Sequence, residues 1–178
     1  HWGEANIRFV TEREIFTGMT ENTFSPDGTI TRAMFVTALG RLYERSYGEI
    51  KAPSTHMFND CNYADYYGRY VDWAAKNGIL QGYGNGKFGP QDPITREQMA
   101  ALLYNFSKFI GKLPEKMDET LRYPDAAAIS GWAQEGARFC QTTGLVNGRV
   151  GGEFDPKNNA TRAETASIIT HLIEYVFK

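Results

Sequence analysis

The chain has 178 residues, 42% of them hydrophobic, and a formal net charge of −2. This composition can fill a globular core, but it lacks the cationic surplus that phosphate binding demands, which excludes nucleic acid as the main partner. No apolar run approaches the roughly 18 residues of a membrane span, so no membrane insertion is expected.

The first predicted unit opens at Trp2 and passes through the apolar pair Ile15-Phe16, Gly18, Asn22, Phe24 and Pro26 to Thr31-Arg32. From there Phe35, Ala38, Leu39 and Leu42 recur at helical spacing. A polar linker over 46–55 leads to Phe58-Asn59-Asp60. Tyr66, Tyr70, Trp73 and Ala74 then mark one face of a helix, which Asn77-Gly78 should end. Ile79-Leu80 turns inward before a glycine-rich turn, Gly82 to Phe88. A second helix is predicted from Thr95, with Met99, Leu102, Leu103, Phe106 and Ile110 as its apolar stripe. After a second polar linker, 111–122, the order repeats: Tyr123-Pro124-Asp125, Trp132, Leu145-Val146, Gly148, Phe154, Pro156, Thr161-Arg162, and a stripe of Ile168, Ile169, Leu172 and Val176.

These are three copies of one unit. The Thr-Arg pairs lie 64 and 66 residues apart, and the glycine, phenylalanine, proline and leading aromatic recur at matching offsets. Boundaries at 1–50, 51–112 and 113–178 give three helix–loop–helix repeats, an all-α fold, together one compact domain. The first unit has no aromatic-x-Asp entry, so the sequence is expected to begin inside a repeat. At the turn position of Gly86 and Gly152 the first unit has Asn22, the non-glycine residue that best tolerates a left-handed backbone.

Thr31, Thr95 and Thr161 suit helix N-caps. Gln98 and Glu164 complete capping boxes, whereas Met34 cannot. The threonines therefore have a structural explanation. The arginines are harder to explain, because a cation in the first helical turn opposes the macrodipole. Arg32, Arg96 and Arg162 hold that slot three times. One reading is a structural ion pair with a neighbouring carboxylate, such as Asp60 or Asp125. The other is an anion site, in which helix-start N–H groups and the arginine fork take a carboxylate or phosphate. Trp2, Tyr66 and Trp132 read first as core; on a surface they would present flat faces to a sugar. The turn glycines would let a ligand approach the backbone closely.

Cys61 and Cys140 have no metal-like spacing. Free buried or half-buried thiols are the simpler reading and a disulfide the other. The three histidines, His1, His56 and His171, are scattered. No zinc spacing, nucleophile elbow or phosphate loop appears, so no catalysis, cofactor or metal is expected. A helical scaffold for protein–protein interaction or surface-lattice self-assembly is the alternative.

The chain resembles the S-layer homology family. The resemblance is carried by Phe58-Asn59-Asp60, the run from Gly82-Tyr83 to Phe88-Gly89-Pro90, and Ile94-Thr95-Arg96. Ile30-Thr31-Arg32-Ala33 and Thr161-Arg162-Ala163-Glu164 carry it in the outer repeats. The resemblance implies a pseudo-threefold arrangement, with a central three-helix bundle and three prongs, in a monomer that is an internal pseudo-trimer. It implies an extracellular place in the bacterial cell wall or S-layer. It further implies that grooves between repeats bind secondary cell-wall polysaccharide linked to peptidoglycan, through a pyruvylated N-acetylmannosamine terminus. On this basis Arg32, Arg96 and Arg162 would engage the pyruvate carboxylate, helped by Trp2, Tyr66, Trp132, Asn22, Gly86, Gly152, Asp60 and Asp125. Met34 and Gln98 depart from the family's Glu, and Tyr66 from its Trp, so three unequal grooves are expected.

Overall fold

A computed structural model describes residues 1–16 and 23–178; Gly18 and Asn22 lie outside the described residues. Among the described residues six α-helices carry the fold: α1 (Glu4–Glu12), α2 (Arg32–Tyr47), α3 (Gly68–Lys76), α4 (Arg96–Phe109), α5 (Gln134–Thr143) and α6 (Arg162–Val176). Short 3₁₀ turns at Ala126–Ala128 and Gly131–Ala133 precede α5. Among the described residues there is no β-strand, and the chain is all-α as expected. No described helix is long and apolar enough to cross a membrane.

The helices start where the caps predict. Thr31, Thr95 and Thr161 each accept an N–H from the third helical residue, and Gln98 and Glu164 close their capping boxes. α3 ends at Asn77, followed by Gly78 with φ +69°. Of the predicted stripes, Phe35, Leu39, Met99, Leu103, Phe106, Ile169 and Leu172 are buried, while Ile110 packs at the core's margin. Each fully buried side chain of this size stabilises by about 1.5–3 kcal/mol.

The helices do not pair within a repeat. α3 packs on α2, α5 on α4, and α1 on α6. Each leading helix thus covers the second helix of the preceding repeat, and α1 closes the cycle against the last. The α2–α3 and α4–α5 pairs solve their spacing in opposite ways. Gly40 of α2 makes room for the Tyr70 ring, where an added Cβ would lie 2.2 Å from a ring carbon. In the other pair the glycine is on α5: Gly136 lies against the Ala100 backbone of α4, with 2.6 Å for an added Cβ.

The repeat junctions close a second cycle. The N–H groups of Arg32 and Ala33 donate to the carbonyls of Asp92 and Pro90, those of Arg96 and Glu97 to Asn158 and Pro156, and those of Arg162 and Ala163 to Gly28 and Pro26. Single antiparallel bridges join Thr31 to Pro93, Thr95 to Asn159, and Thr29 to Thr161. In each loop the residue before proline has a positive φ: Ser25, Gly89 and Asp155. Cys61 and Cys140 are free thiols, half-buried and buried.

Candidate functional site: grooves shared by three repeats

The three arginines project from the first helical turn into the loop of the next repeat. Arg32 donates through Nε to the Phe88 carbonyl at 3.0 Å and through Nη2 to Gln81 at 3.3 Å. Arg96 does the same to Phe154 at 2.6 Å and Asn147 at 3.0 Å. Arg162 donates to the Phe24 carbonyl at 2.7 Å. All three are buried and stack on aromatic faces, Arg32 on Tyr83 and Phe88, Arg162 on Phe16 and Phe24. Burial pulls each guanidinium below its usual pKa, yet arginine stays charged.

This geometry corrects part of the sequence reading. Arg96 does pair with a neighbouring carboxylate, but it is Glu164, at 3.2 Å; among the described residues neither Arg32 nor Arg96 forms an ion pair with Asp60 or Asp125. The helix-start N–H groups are not open to an anion either. Those of Arg32 and Ala33 bind carbonyls, and that of Met34 binds the Thr31 hydroxyl. The cation in the first turn is tolerated because its long side chain carries the charge away to neighbouring carbonyls and rings.

Asp60 and Asp125 act as loop clamps. Asp60 accepts the Phe88 and Gly89 N–H groups at 2.9 and 2.8 Å. Asp125 accepts those of Phe154 and Asp155 at 2.8 and 2.7 Å. Burial pushes the Asp60 carboxyl up, but the two backbone donors outweigh it and leave its pKa depressed. A depressed carboxylate stabilises fully above its unfolded pKa, about 3.9, and loses that contribution as pH falls through the folded value. Asp60→Ala is therefore expected to cost about 1–3 kcal/mol at pH 7. The gap from the parent should narrow below about pH 4, as read from urea midpoints across pH.

The leading aromatics are not core. Trp2, Tyr66 and Trp132 are 66%, 47% and 62% exposed. They precede their helices rather than lying on the buried face, which Tyr67, Tyr70 and Val71 occupy in the second repeat. Trp132 stands beside Arg32 in a groove of about 500 Å³. Trp2 stands beside Arg96 in one of about 220 Å³. Tyr66 is near enough to Arg162 to interact with it electrostatically. Each of the Arg32 and Arg96 grooves thus draws on all three repeats, taking the arginine from one, the loop from the next and the aromatic from the remaining one.

Gly86 and Gly152 have φ +75° and +81° and serve the turn, while Gly82 and Gly148 line the grooves. The helical wall went unread in the sequence, although its spacing was available. Gln98, Ala101, Leu102 and Asn105 line the first groove, and Glu164, Ser167, Ile168 and His171 line the second, at i, i+3, i+4 and i+7. No group of described residues forms a metal cluster.

Residues 1–34, 62–100 and 122–166 match the S-layer homology domain. The chain is 34% identical over 98% of its length to an amylopullulanase of Thermoanaerobacterium thermosulfurigenes, covering 9% of that protein. It is 32% identical over 97% of its length to an endoglucanase of a Bacillus species, covering 18% of it. A cellulosome-anchoring protein of Acetivibrio thermocellus is 25% identical over 88% of the chain and is covered over 35% of its length. The chain thus spans a minor part of the relatives it matches. With three matched segments on three repeats that share their loops, arginines and caps, the chain belongs to the S-layer homology domain family.

Proposed function

We propose that this chain is a non-covalent anchor that holds a larger secreted protein on a cell-wall polysaccharide. Its family is one of cell-surface, wall-associated proteins. The enzymes named above align with it over only 9% and 18% of their length, which supports a binding role for this segment and not a catalytic one. The observation that carries the reading is the exposed Trp132 beside the Arg32 guanidinium in a groove of about 500 Å³. Leaving an indole more than half in water forgoes burial that a folded core would use. An aromatic face next to an arginine fork suits a sugar ring bearing a carboxylate, and a pyruvylated N-acetylmannosamine terminus has both.

The test is co-sedimentation with peptidoglycan sacculi that carry their secondary polymer, before and after mild acid removal of the ketal. Retention is expected before stripping and not after it, and Trp132→Ala should weaken it with the fold intact. Equal retention on stripped sacculi would sink the ketal as the ligand group.

A further inference from the structure

The grooves of Arg32 and Arg96 share one architecture but differ in whether the arginine has a carboxylate partner. The third residue of the helix lining each groove is Gln98 in the first and Glu164 in the second. Gln98 is neutral, and its side-chain oxygen accepts the Thr95 N–H. Among the described residues Arg32 makes no ion pair, and its Nη1 has no hydrogen-bond partner, while Nε and Nη2 are both engaged. The carboxylates that influence Arg32 from nearby are Asp92 and Asp60. Asp92 accepts the Tyr83 hydroxyl at 2.7 Å, and Asp60 is committed to two backbone N–H groups.

In the second groove the arginine already has a partner from within. Glu164 Oε1 lies 3.2 Å from Arg96 and 3.3 Å from Arg149. Arg149 also pairs with Asp155 and donates to the Asn159 carbonyl. Two arginines and two carboxylates form a closed set at the place where an incoming carboxylate would sit. Such a ligand must displace Glu164 or lie beside a like charge, and either is a penalty. In the first groove it meets an arginine with a donor to spare.

We propose that the Arg32–Trp132 groove takes the anionic end of the glycan, and that Glu164 acts in the Arg96–Trp2 groove as a built-in competitor for that anion. The residue at position 98 or 164 then decides which groove accepts a charged sugar. This rests on the wall-polysaccharide reading above. The groove of Arg162 has Met34 at that position, 3.6 Å from Nη1, but its loop runs into residues outside those described, and the proposal does not extend to it.

The tryptophans report on the two grooves separately. Trp132 lines one, Trp2 the other, and Trp73 lines neither, packing on Tyr43 and Phe109. Indole N–H signals of the ¹⁵N-labelled chain would be followed while titrating the methyl glycoside of pyruvate-ketal N-acetylmannosamine, with the ketal-free glycoside as reference. Trp132 should half-shift at a concentration about ten-fold or more below Trp2, as expected for one partly screened charge. Glu164→Gln should bring the Trp2 response down by about ten-fold, and Gln98→Glu should raise that of Trp132 by as much. Both exchanges keep a residue that closes the capping box, so the fold should survive. The ketal-free probe should show no such ranking.

If Trp2 responds first, or the exchanges leave both curves unmoved while the ketal glycoside binds, the inference falls and the anchoring reading stands. The same holds if neither indole responds but sacculi still retain the chain. No response together with no retention overturns both.

Discussion

Arg96→Ala is expected to lower stability by about 3–5 kcal/mol, measured as a loss of urea midpoint at constant slope. For a chain of this size each kcal/mol corresponds to roughly 2–4 °C in melting temperature. The side chain is buried and supplies donors to the Phe154 and Asn147 carbonyls and to Glu164. Truncation strands the two carbonyls and opens a space between two repeats. Arg149 still holds Glu164 in the variant, which should keep the loss toward the lower end. Arg96→Lys should recover less than half, since one ammonium cannot reach a planar set of three acceptors. A loss below about 1 kcal/mol, the range of an exposed pair, would show that the loop contacts are dispensable. Reduced wall retention in an Arg→Ala variant consequently says nothing about ligand binding without a parallel measurement of folding. Trp132→Ala and the Gln98/Glu164 exchanges avoid that confusion.

The same arginines mark where sequence reading reached its limit. Helices α2, α4 and α6 were legible because threonine caps and apolar stripes are local signals, and both register within a few residues. The destination of an arginine fork was not. Its acceptors are backbone carbonyls, which leave no residue-type signal at Phe88, Phe154 or Phe24, and for Arg162 the separation is 138 residues. In sequence, donors that the fold itself uses, such as Nε and Nη2 of Arg32, cannot be told from donors left for a ligand. Trp2, Tyr66 and Trp132 went the other way. Helical spacing placed Tyr66 on the face of Tyr70 and Ala74, but α3 begins only at Gly68, so the periodicity did not apply to it. The loop aspartates were legible as recurring positions and not as clamps, because a carboxylate holding two N–H groups looks in sequence like any exposed acid. Pairing of α1 with α6 was invisible for a topological reason: periodicity says which face is apolar and not which helix covers it.

That pairing leads to the other large effect. Val10 is the buried residue of α1, and Val10→Asp would place an unpaired carboxylate there, at a cost of several kcal/mol. α1 is a nine-residue helix with no side-chain N-cap bond, too short to persist undocked. It should therefore detach from α6 as a local unit while α2–α3 and α4–α5, which it does not complete, remain paired. Hydrogen exchange is expected to show loss of protection confined to α1 and the exposed face of α6. Because Trp2 sits just ahead of α1 and supplies the aromatic of the Arg96 groove, that groove should lose its sugar platform. The Arg32 groove draws its aromatic from Trp132 and should keep its response to the ketal glycoside. Simultaneous loss of both responses would mean that the cycle of repeats is one cooperative unit, in which closing the ring by α1 is a condition for every groove and not for one.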